Sequence, residues 1–487
     1  MHESDLRRAL NATLMPGFAG PDLPAWLARE LTDGLGSVCL FSTNIVDPQQ
    51  LRTLTAAVHA ANPAAVVATD EEGGDVTRLH HRRGSPFPSM AYLGHLDDTR
   101  VTQQVAAGIG SELCNAGVDL NLAPDADVNS NPRNPVIGVR SFGADPGLAA
   151  RHVAAYTRGL QAAGTGACAK HFPGHGDTST DSHLAVPTIG VSADVLAARE
   201  LLPFRAAVDA GTLAVMTSHI LVPALDPHLP ATLSPRVLAV LRDQLGFAGA
   251  VVSDALDMAG ASRGRGIPEA AVLALAAGCD LLCIGTDNTA AQLAGIRAHV
   301  LEAVREGRLP EERVQDAASR VAALARGIAD LRASRSSGGE PPALSPAGFW
   351  LRGPVAPQVA PVFLRLESAA NIAAGEDTPW GVAEHLRGEL DRLLPGSTLL
   401  AAPDLDTLAA ALEQHARRPL VVQGRDLARV PYLVAATAMV HERRPDALLV
   451  DLGWPELPGR PPIDIATFGS GRGAATCLIE LLAEGTR

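Results

Sequence analysis

The chain has 487 residues, of which 47% are hydrophobic, 19% charged and 3% aromatic. This length allows roughly two to four domains, whose cores must be built from Ala, Val and Leu because aromatic residues are scarce. The net charge of −13 argues against a nucleic-acid partner and against an anionic membrane surface, since both require basic surfaces.

The six cysteines are scattered, and no Cys-x-x-Cys pair occurs among positions 39, 114, 168, 279, 283 and 477. We expect small buried thiols in a reducing compartment rather than a disulfide framework or a zinc site. The N-terminal residues lack a signal-peptide layout, and no apolar run approaches the roughly 20 residues of a membrane span. A cytoplasmic location is therefore expected.

Up to about residue 330, short apolar runs alternate with stretches of helical periodicity. Strands are predicted at residues 11–15, 38–41, 66–70, 118–122, 166–171, 213–220, 250–254 and 280–285. The helices between them include residues 47–61, 101–116, 147–163, 196–210, 235–245 and 268–277. Eight β-α units predict a closed (β/α)8 TIM barrel, with an open doubly wound sheet as the alternative.

Polar residues follow most of the predicted strands. They are Asp70-Glu71-Glu72, Asn121 with Asp125 and Asp127, Lys170-His171, Ser218-His219, and Ser253-Asp254. In a barrel, the C-terminal ends of all strands open onto one face, where active sites lie. Five polar strand ends are hard to explain as helix caps alone, so they indicate a site at this face.

The rest of the chain predicts a second domain. Residues 334–348 are rich in Ser, Gly and Pro, as in a linker. Further strands are predicted at 362–366, 397–401, 420–423 and 447–452, with a last helix after Gly471-Arg472-Gly473. The predicted limits are a barrel at 1–333, a linker at 334–358 and a smaller α/β sandwich domain at 359–487.

The stretch from Ala169 to His183 contains one Lys, three His and two Asp, separated by Gly, Pro, Ser and Thr. It has no apolar repeat, so it reads as a strand that opens into a polar loop. Lys170 is the only lysine in a chain with 40 Lys plus Arg. This indicates a site that needs a compact ammonium group rather than a planar guanidinium.

Local sequence indicates two candidate catalytic residues. Asp254 ends an apolar strand and would serve as a nucleophile or base, or alternatively as the N-cap of the next helix. Asp181 can orient the ring of His183 and raise its pKa, which would make His183 a general acid near neutral pH. The alternative is a turn in which Asp181 and Ser182 cap backbone groups.

Other readings of these residues are less favoured. Metal-ligand types occur at His171, His175, Asp177, Asp181 and His183. They lack helical His spacing or a Cys partner, and Lys170 would repel a cation, so neither a metal nor another cofactor is expected. The strand-end carboxylates of Asp70-Glu71-Glu72 suit the paired hydroxyls of a sugar, and Arg78 suits an oxygen acceptor. The turn-dense segment 129–135 either presents Arg140 at the barrel mouth or is a surface loop. No Gly-x-Ser-x-Gly elbow supports acyl transfer.

Six segments carry a resemblance to a known family. They are Asp70-Glu-Glu-Gly-Gly with Arg78, Pro124-Asp-Ala-Asp-Val-Asn-Ser-Asn-Pro, Arg140-Ser-Phe-Gly, Lys170-His-Phe-Pro-Gly-His-Gly-Asp-Thr to Asp181-Ser-His183, Met216-Thr-Ser-His-Ile, and Ser253-Asp-Ala-Leu-Asp-Met258. In this order they resemble family 3 glycoside hydrolases, in the bacterial β-N-acetylglucosaminidase branch. The resemblance covers roughly residues 10–330, and the Asp-x-His loop is specific to that branch.

The resemblance implies a retaining exo-β-N-acetylglucosaminidase, a β-N-acetylhexosaminidase that acts on muropeptide or chitin-type fragments in peptidoglycan recycling. It implies that Asp254 forms a glycosyl-enzyme, with His183 as acid/base paired with Asp181. This differs from the usual carboxylate pair. The residues implied to hold the N-acetylglucosamine ring are Asp70, Arg78, Arg140, Lys170 and His171. A monomer is the expected state.

Two departures from the family pattern and several alternatives remain open. The chain has Glu71 and Asp75 where the family usually has Gln and Arg, and it carries a C-terminal domain in which Glu456 is a candidate to reach the site. The same residues would also suit a phosphorylase that transfers the sugar to phosphate. A sugar-binding protein without activity and a metal-dependent hydrolase are further hypotheses.

Overall fold

The computed structural model describes residues 3–179, 186–336, 341–368, 373–375, 378–455 and 463–486. They divide into two compact units. The first comprises Met1–Glu71, Thr99–Asn134 and Ala144–Pro341, and the second comprises Glu72–Asp98, Pro135–Gly143 and Pro342–Arg487. Two segments from the first third of the chain thus group with the C-terminal residues. The limits 1–333, 334–358 and 359–487 stay a prediction.

The first unit is a (β/α)8 barrel of parallel strands, as predicted. Its strands are β1 (Leu14–Pro16), β2 (Ser37–Leu40), β3 (Val66–Thr69), β4 (Leu120–Asn121), β5 (Gly166–Phe172), β6 (Ala214–Thr217), β7 (Ala250–Val252) and β8 (Leu282–Gly285). The strands from β2 to β7 pair in chain order, and β1 pairs with β8. A bridge between Val252 and Leu281 joins these two sheets.

The helices alternate with the strands in the first unit and flank the sheet residues of the second. They are α1 (Glu3–Ala12), α2 (Ala25–Thr32), α3 (Pro48–Ala61), α4 (Met90–Leu96), α5 (Thr99–Asn115), α6 (Pro146–Ala162), α7 (Ala193–Val195), α8 (Leu201–Asp209), α9 (Pro235–Ala239), α10 (Ala259–Ser262), α11 (Gly266–Ala277), α12 (Ala290–Arg305), α13 (Glu311–Ser334), α14 (Gly381–Leu386), α15 (Leu390–Leu393), α16 (Leu405–Gln414), α17 (Pro431–Arg443) and α18 (Arg472–Glu484). No described helix has the length and apolar character needed to cross a bilayer.

Local sequence explains where several helices begin. Asp47 accepts hydrogen bonds from the first backbone N–H groups of α3, which starts at Pro48. Asp145 accepts the backbone N–H of Leu148 in α6, which starts at Pro146. An acidic N-cap followed by proline fits because proline lacks the N–H that the first turn leaves unpaired.

The first strand differs from its prediction. Residues 11–15 were expected to be extended, whereas α1 runs through Ala12 and β1 begins at Leu14. Leu6 and Leu10 of α1 are buried one helical turn apart, so the apolar residues before the strand follow the helical period. The other predicted strands of the barrel all overlap observed ones, although β4 is shorter than expected.

The barrel interior is filled by small and aliphatic side chains. Its core consists of Met15, Cys39, Val66, Ala68, Leu120, Leu122, Cys168, Ala214, Met216, Ala250, Val252, Leu281 and Cys283, together with Val321, Leu324 and Ile328 of α13. Five of the six cysteines are buried, and none of the six forms a disulfide. The expectation that they act as small hydrophobic residues is confirmed.

The second unit contains a mixed sheet whose strands are β9 (Trp350–Leu351), β10 (Val362–Leu366), β11 (Thr398–Ala402), β12 (Leu420–Gly424), β13 (Leu448–Asp451) and β14 (Ile465–Ala466). Their order is β11-β10-β12-β13-β14-β9, and β9 alone among these runs antiparallel to its neighbour. The predicted α/β character of this unit is confirmed. Strand β9 lies inside the predicted linker, where it pairs with β14.

Charged residues at the N-terminal ends of the barrel strands neutralise one another. Asp280 is fully buried, and its carboxylate accepts hydrogen bonds from Arg242 at 2.6 Å, Arg313 at 2.5 Å and the backbone N–H of Val251 at 2.8 Å. In barrels, this face contributes stability, whereas chemistry occurs at the opposite face.

We predict that Asp280→Ala lowers the free energy of unfolding by about 3–5 kcal/mol, because two guanidinium groups lose their shared buried partner. Urea titration of the full chain measures the change. The matched control is Asp316→Ala, since Asp316 also pairs with Arg313 but its side chain is 51% exposed; a loss within about 1 kcal/mol is expected there. Equal losses in both variants would contradict this view of Asp280.

Candidate active site

Polar side chains cluster at the C-terminal ends of the barrel strands, as the sequence indicates. Asp70 follows β3, Asp125 and Asp127 follow β4, Lys170 and His171 lie within β5, and Asp254 follows β7. Lys170 pairs with Asp125 in a parallel bridge that extends the β4–β5 contact beyond β4. The same barrel face therefore carries four of the eight residues predicted to act on a substrate, namely Asp70, Lys170, His171 and Asp254.

Lys170 and Asp70 form an ion pair across two strands. Lys170 Nζ donates to Asp70 Oδ1 at 2.6 Å, and the side chains are 2% and 16% exposed. A buried ammonium group is tolerated when a carboxylate and hydrogen bonds compensate its lost hydration. The single lysine of the chain is thus held in one place with its charge balanced. Its sequence neighbour His171 follows a cis peptide bond.

Asp127 orients His171. Its Oδ2 lies 2.8 Å from His171 Nδ1, and its Oδ1 accepts the backbone N–H groups of His171 at 3.2 Å and His175 at 2.6 Å. A carboxylate on one ring nitrogen fixes the tautomer and the direction of the other. Both residues are buried. From the sequence, Asp127 is identified only as an acidic residue after a strand. Its position two residues after Asp125 did not indicate that it would orient His171.

The same three residues have the composition of a metal site. One ligand atom each from Asp125, Asp127 and His171 lie within 4.8 Å of one another. However, Asp127 already accepts three N–H contacts, and Asp125 Oδ1 accepts the backbone N–H of Asp127 at 3.0 Å. This bonding suits a carboxylate pair that positions a ring, and the neighbouring Lys170 disfavours a cation.

The start of the loop after β5 is packed against the segment that follows β4. Asn134 donates to the carbonyl of His175 at 2.8 Å, and Asn131 donates to that of Thr178 at 3.1 Å. A Cβ at Gly176 would lie 1.7 Å from the carbonyl oxygen of Val128, so only glycine permits this approach. The turn-dense segment therefore supports the loop rather than forming a free surface loop.

Residues 180–185 come next in the sequence and lie outside the described residues. The predicted acid/base His183 and its partner Asp181 fall there, and their roles stay predictions. The same holds for Glu456, which lies in the undescribed range 456–462.

Asp254 is partly buried, and its Oδ1 accepts the backbone N–H of Ala255 at 2.8 Å. The alternative that it caps the next helix is wrong, because α10 begins after Met258 and has no side-chain cap. His219, fully buried after β6, has its Nε2 2.9 Å from the carbonyl oxygen of Ala255. It thus steadies the residue whose N–H holds Asp254. The polar end of β6 was the sequence signal for it.

Two of the predicted sugar-binding residues belong to the second unit. Arg140 is buried and makes a two-pronged ion pair with Glu72 at 2.7 and 2.9 Å. Arg78 donates to the carbonyl of Ala373 at 3.0 Å. Glu72 is one of the strand-end carboxylates, and its two oxygens fix the guanidinium of Arg140. The spacing of 68 residues gave no local sign of this pair.

Asp75 is one of the two residues that differ from the family pattern, and its carboxylate makes its contacts within the second unit. Its Oδ1 accepts the backbone N–H of Ser470 at 2.6 Å, and the charge of Arg425 stabilises it. Burial nevertheless raises the pKa of Asp75 above its ordinary value. A negative charge at position 75 is therefore matched by a cation from the same unit, with Arg425 stacked 4.1 Å from the ring centre of Trp380.

Glu200 is buried next to Gly174, at the start of the segment that follows β5, and its pKa is shifted. Burial raises the pKa of its carboxyl group to about 7, although Arg199 acts in the opposite direction. Neighbouring Asp177 raises it further. Neither Arg199 nor Glu200 was singled out in the sequence, because both stand in an ordinary-looking helical stretch.

We predict that Glu200→Gln flattens the pH dependence of stability between about pH 4.5 and 7. Folding raises the pKa of Glu200, so its contribution is fully present below pH 4.5 and is lost as pH rises toward 7. Urea unfolding at pH 5 and 8 should show the wild type losing on the order of 1–3 kcal/mol more than the variant. Glu302→Gln, at an exposed ion pair, should follow the wild type. Parallel profiles for wild type and Glu200→Gln would contradict the prediction.

Comparison with known proteins places these features in a family. The family model described as "Glycosyl hydrolase family 3 N terminal domain" matches residues 24–324. The chain is 38% identical to a beta-hexosaminidase of Stenotrophomonas maltophilia over 284 residues, which are 56% of this chain and 82% of that protein. It is 34% identical to beta-hexosaminidase A of Pseudoalteromonas piscicida over 62% of this chain, and spans 55% of the length of that relative.

A solved structure matches both units. The glycoside hydrolase family 3 beta-N-acetylglucosaminidase of Paenibacillus sp. str. FPU-7 superposes with a TM-score of 0.86 at 30% sequence identity. The match covers 99% of this chain and 98% of that one. The C-terminal unit is therefore a feature that this chain shares with a solved relative.

Proposed function

The chain belongs to glycosyl hydrolase family 3, and we propose that this glycoside hydrolase is a retaining exo-β-N-acetylglucosaminidase. The observation that carries the proposal is the barrel face on which Asp254 lies with two hydrogen-bonded side-chain pairs, Lys170–Asp70 and His171–Asp127. Named beta-hexosaminidase relatives support a hexosaminide substrate. The solved relative named a beta-N-acetylglucosaminidase supports the N-acetylglucosaminyl group.

The proposed reaction has two steps on one anomeric carbon. Asp254 attacks C1 while His183 gives a proton to the glycosidic oxygen, and the leaving alcohol departs. In the second step His183 takes a proton from a water molecule while the oxygen of that water attacks C1. The bond between C1 and Asp254 breaks in the same step. Asp181 would orient the ring of His183 for both proton transfers. Two displacements at one carbon restore the original configuration.

The remaining residues would bind the sugar ring. Lys170 supplies N–H donors and Asp70 an acceptor, a combination that suits adjacent hydroxyl groups, each of which donates and accepts. His171 would present the ring nitrogen opposite Asp127. Arg78 and Arg140 would donate to oxygen acceptors of the N-acetylglucosamine. We further propose that muropeptide or chitin-type fragments are the substrates, and that the enzyme acts in peptidoglycan recycling in the cytoplasm. Six cysteines without a disulfide fit such a reducing compartment.

We predict that Asp254→Ala lowers kcat/KM on 4-nitrophenyl N-acetyl-β-D-glucosaminide by at least about 10³-fold, since no other group replaces the nucleophile. His183→Ala should lower it by about 10²–10⁴-fold through loss of acid/base catalysis. Steady-state kinetics measures both effects. The matched controls Asp209→Ala and His228→Ala, at exposed positions, should retain wild-type activity. Near wild-type turnover by Asp254→Ala would exclude the proposed reaction.

We predict that water, rather than phosphate, accepts the sugar. The same aryl substrate incubated with and without 50-fold molar excess of phosphate should yield free N-acetylglucosamine in both cases. Chromatography separates this product from the sugar 1-phosphate. Dominant sugar 1-phosphate in phosphate buffer would instead identify a phosphorylase. Tight sugar binding without turnover under either condition would identify a binding protein.

A further inference from the structure

The chain leaves β5 through a short stem, residues 173–178, that is held from two sides. The segment after β4 holds one side through Asn131, Asn134 and Asp127, as described above. On the other side Arg199 donates to Asp177 at 2.6 Å and, through Nε, to Glu200 at 2.6 Å. We call Asp177, Arg199 and Glu200 the stem clamp, because one guanidinium group joins the stem to the helix that follows.

Glu200 contacts the stem directly. Its side chain is fully buried, and its Oε2 makes no hydrogen bond among the described residues. Gly174, with a φ of +129°, lies so close that an added Cβ would come within 2.7 Å of this oxygen. A carboxylate kept for stability alone would be expected to have its hydrogen bonds satisfied. Its position under the glycine therefore points to a role in shaping the stem.

The backbone around Arg199 and Glu200 is also unusual. They end a π-helical turn, Leu196–Glu200, that lies between α7 and α8. Such turns are rare and are often found at functional sites. At the end of this turn Arg199 contacts Asp177 and Glu200 contacts Gly174, so two consecutive side chains both reach the stem.

The far end of the loop is fixed as well. Ile189 donates its backbone N–H to the carbonyl of Leu221 at 3.0 Å, and Leu221 donates to the carbonyl of Pro187 at 2.9 Å. His183 follows Asp177 by six residues in the sequence. The described residues on both sides of the segment that contains His183 are therefore held by hydrogen bonds, Asp177 by Arg199 and Pro187 by Leu221.

We propose that the stem clamp, Asp177 with Arg199 and Glu200, is a set of positioning residues that sets the outgoing end of the acid/base loop. This inference rests on the proposed function, in which His183 transfers the proton. A displacement of about 1 Å of a reacting group is enough to cost on the order of 10²-fold in rate. Loss of the clamp would therefore impair proton transfer while leaving the attack by Asp254 intact.

The test compares substrates that differ in their need for an acid. A 2,4-dinitrophenyl N-acetylglucosaminide has a leaving group that departs without protonation, whereas N,N′-diacetylchitobiose requires it. Asp177→Asn removes one carboxylate charge from a side chain that is 28% exposed, so the full chain should fold. We expect kcat/KM on the disaccharide to fall roughly 10–10²-fold, with at most a few-fold change on the dinitrophenyl substrate.

Azide gives a second readout. As an anion it attacks the glycosyl-Asp254 carbon without a general base, forming a glycosyl azide and releasing the carboxylate. Azide should therefore accelerate dinitrophenyl turnover by Asp177→Asn and by the reference variant His183→Ala, but not by the wild type. Glu200→Gln, which preserves shape, should show a weaker form of the same pattern. Asp446→Asn, at the ion pair with Arg444 in the other unit, is the matched control and should behave as wild type.

The outcomes separate the two claims. The inference is overturned if His183→Ala shows leaving-group dependence and azide rescue but Asp177→Asn behaves as wild type. It is also overturned if Asp177→Asn loses activity equally on both substrates. In either case the clamp has no positioning role. If His183→Ala itself shows no such dependence, the proposed acid is wrong and the inference fails with it. Leaving-group dependence in both variants, with Asp446→Asn unaffected, supports the positioning role.

Discussion

The carboxylate of Asp127 is the contact on which the rest of the site depends. Its two oxygens hold the ring of His171 and the backbone N–H groups of His171 and His175. One side chain after β4 thereby fixes both a proposed sugar-binding ring and the turn that begins the β5 loop. Since the stem clamp holds the same turn from the opposite side, the loop starts from a defined place. A buried carboxylate that accepts several N–H groups is well suited to this task, because its ionised form is stabilised by them.

The charged side chains at the two ends of the barrel strands are paired in different ways. At the N-terminal ends of the strands, the carboxylate of Asp280 accepts hydrogen bonds from two arginines, Arg242 and Arg313. At the C-terminal ends, the contacts of Lys170 with Asp70 and of His171 with Asp127 hold individual side chains in place. The first arrangement stabilises the fold, and the second suits a surface that must still bind hydroxyl groups. Asp254 at the same face is only partly buried.

The sequence predicted the barrel because its strands are short, apolar and bounded by polar residues, and because the strand ends share a face. It placed the first strand too early, since α1 and β1 adjoin without a turn signal. It could not reveal contacts that join distant parts of the chain. Glu72 with Arg140 and Asp75 with Ser470 are separated by 68 and 395 residues, and no local pattern relates them. The second pair explains a departure from the family pattern that the sequence alone left open. Asp254, Lys170 and His171 were recognisable because each directly ends or follows an apolar strand.

The central claim is that Asp254 bonds covalently to the sugar. The most direct measurement is mass spectrometry of the full chain after reaction with a 5-fluoro N-acetylglucosaminyl fluoride, which slows breakdown of a glycosyl-enzyme. After acid quenching and digestion, the account predicts one added fluoro-sugar on the peptide that contains Asp254, located to that residue by fragmentation. An unmodified Asp254 peptide while the reagent is turned over, or a label on another residue, would contradict it.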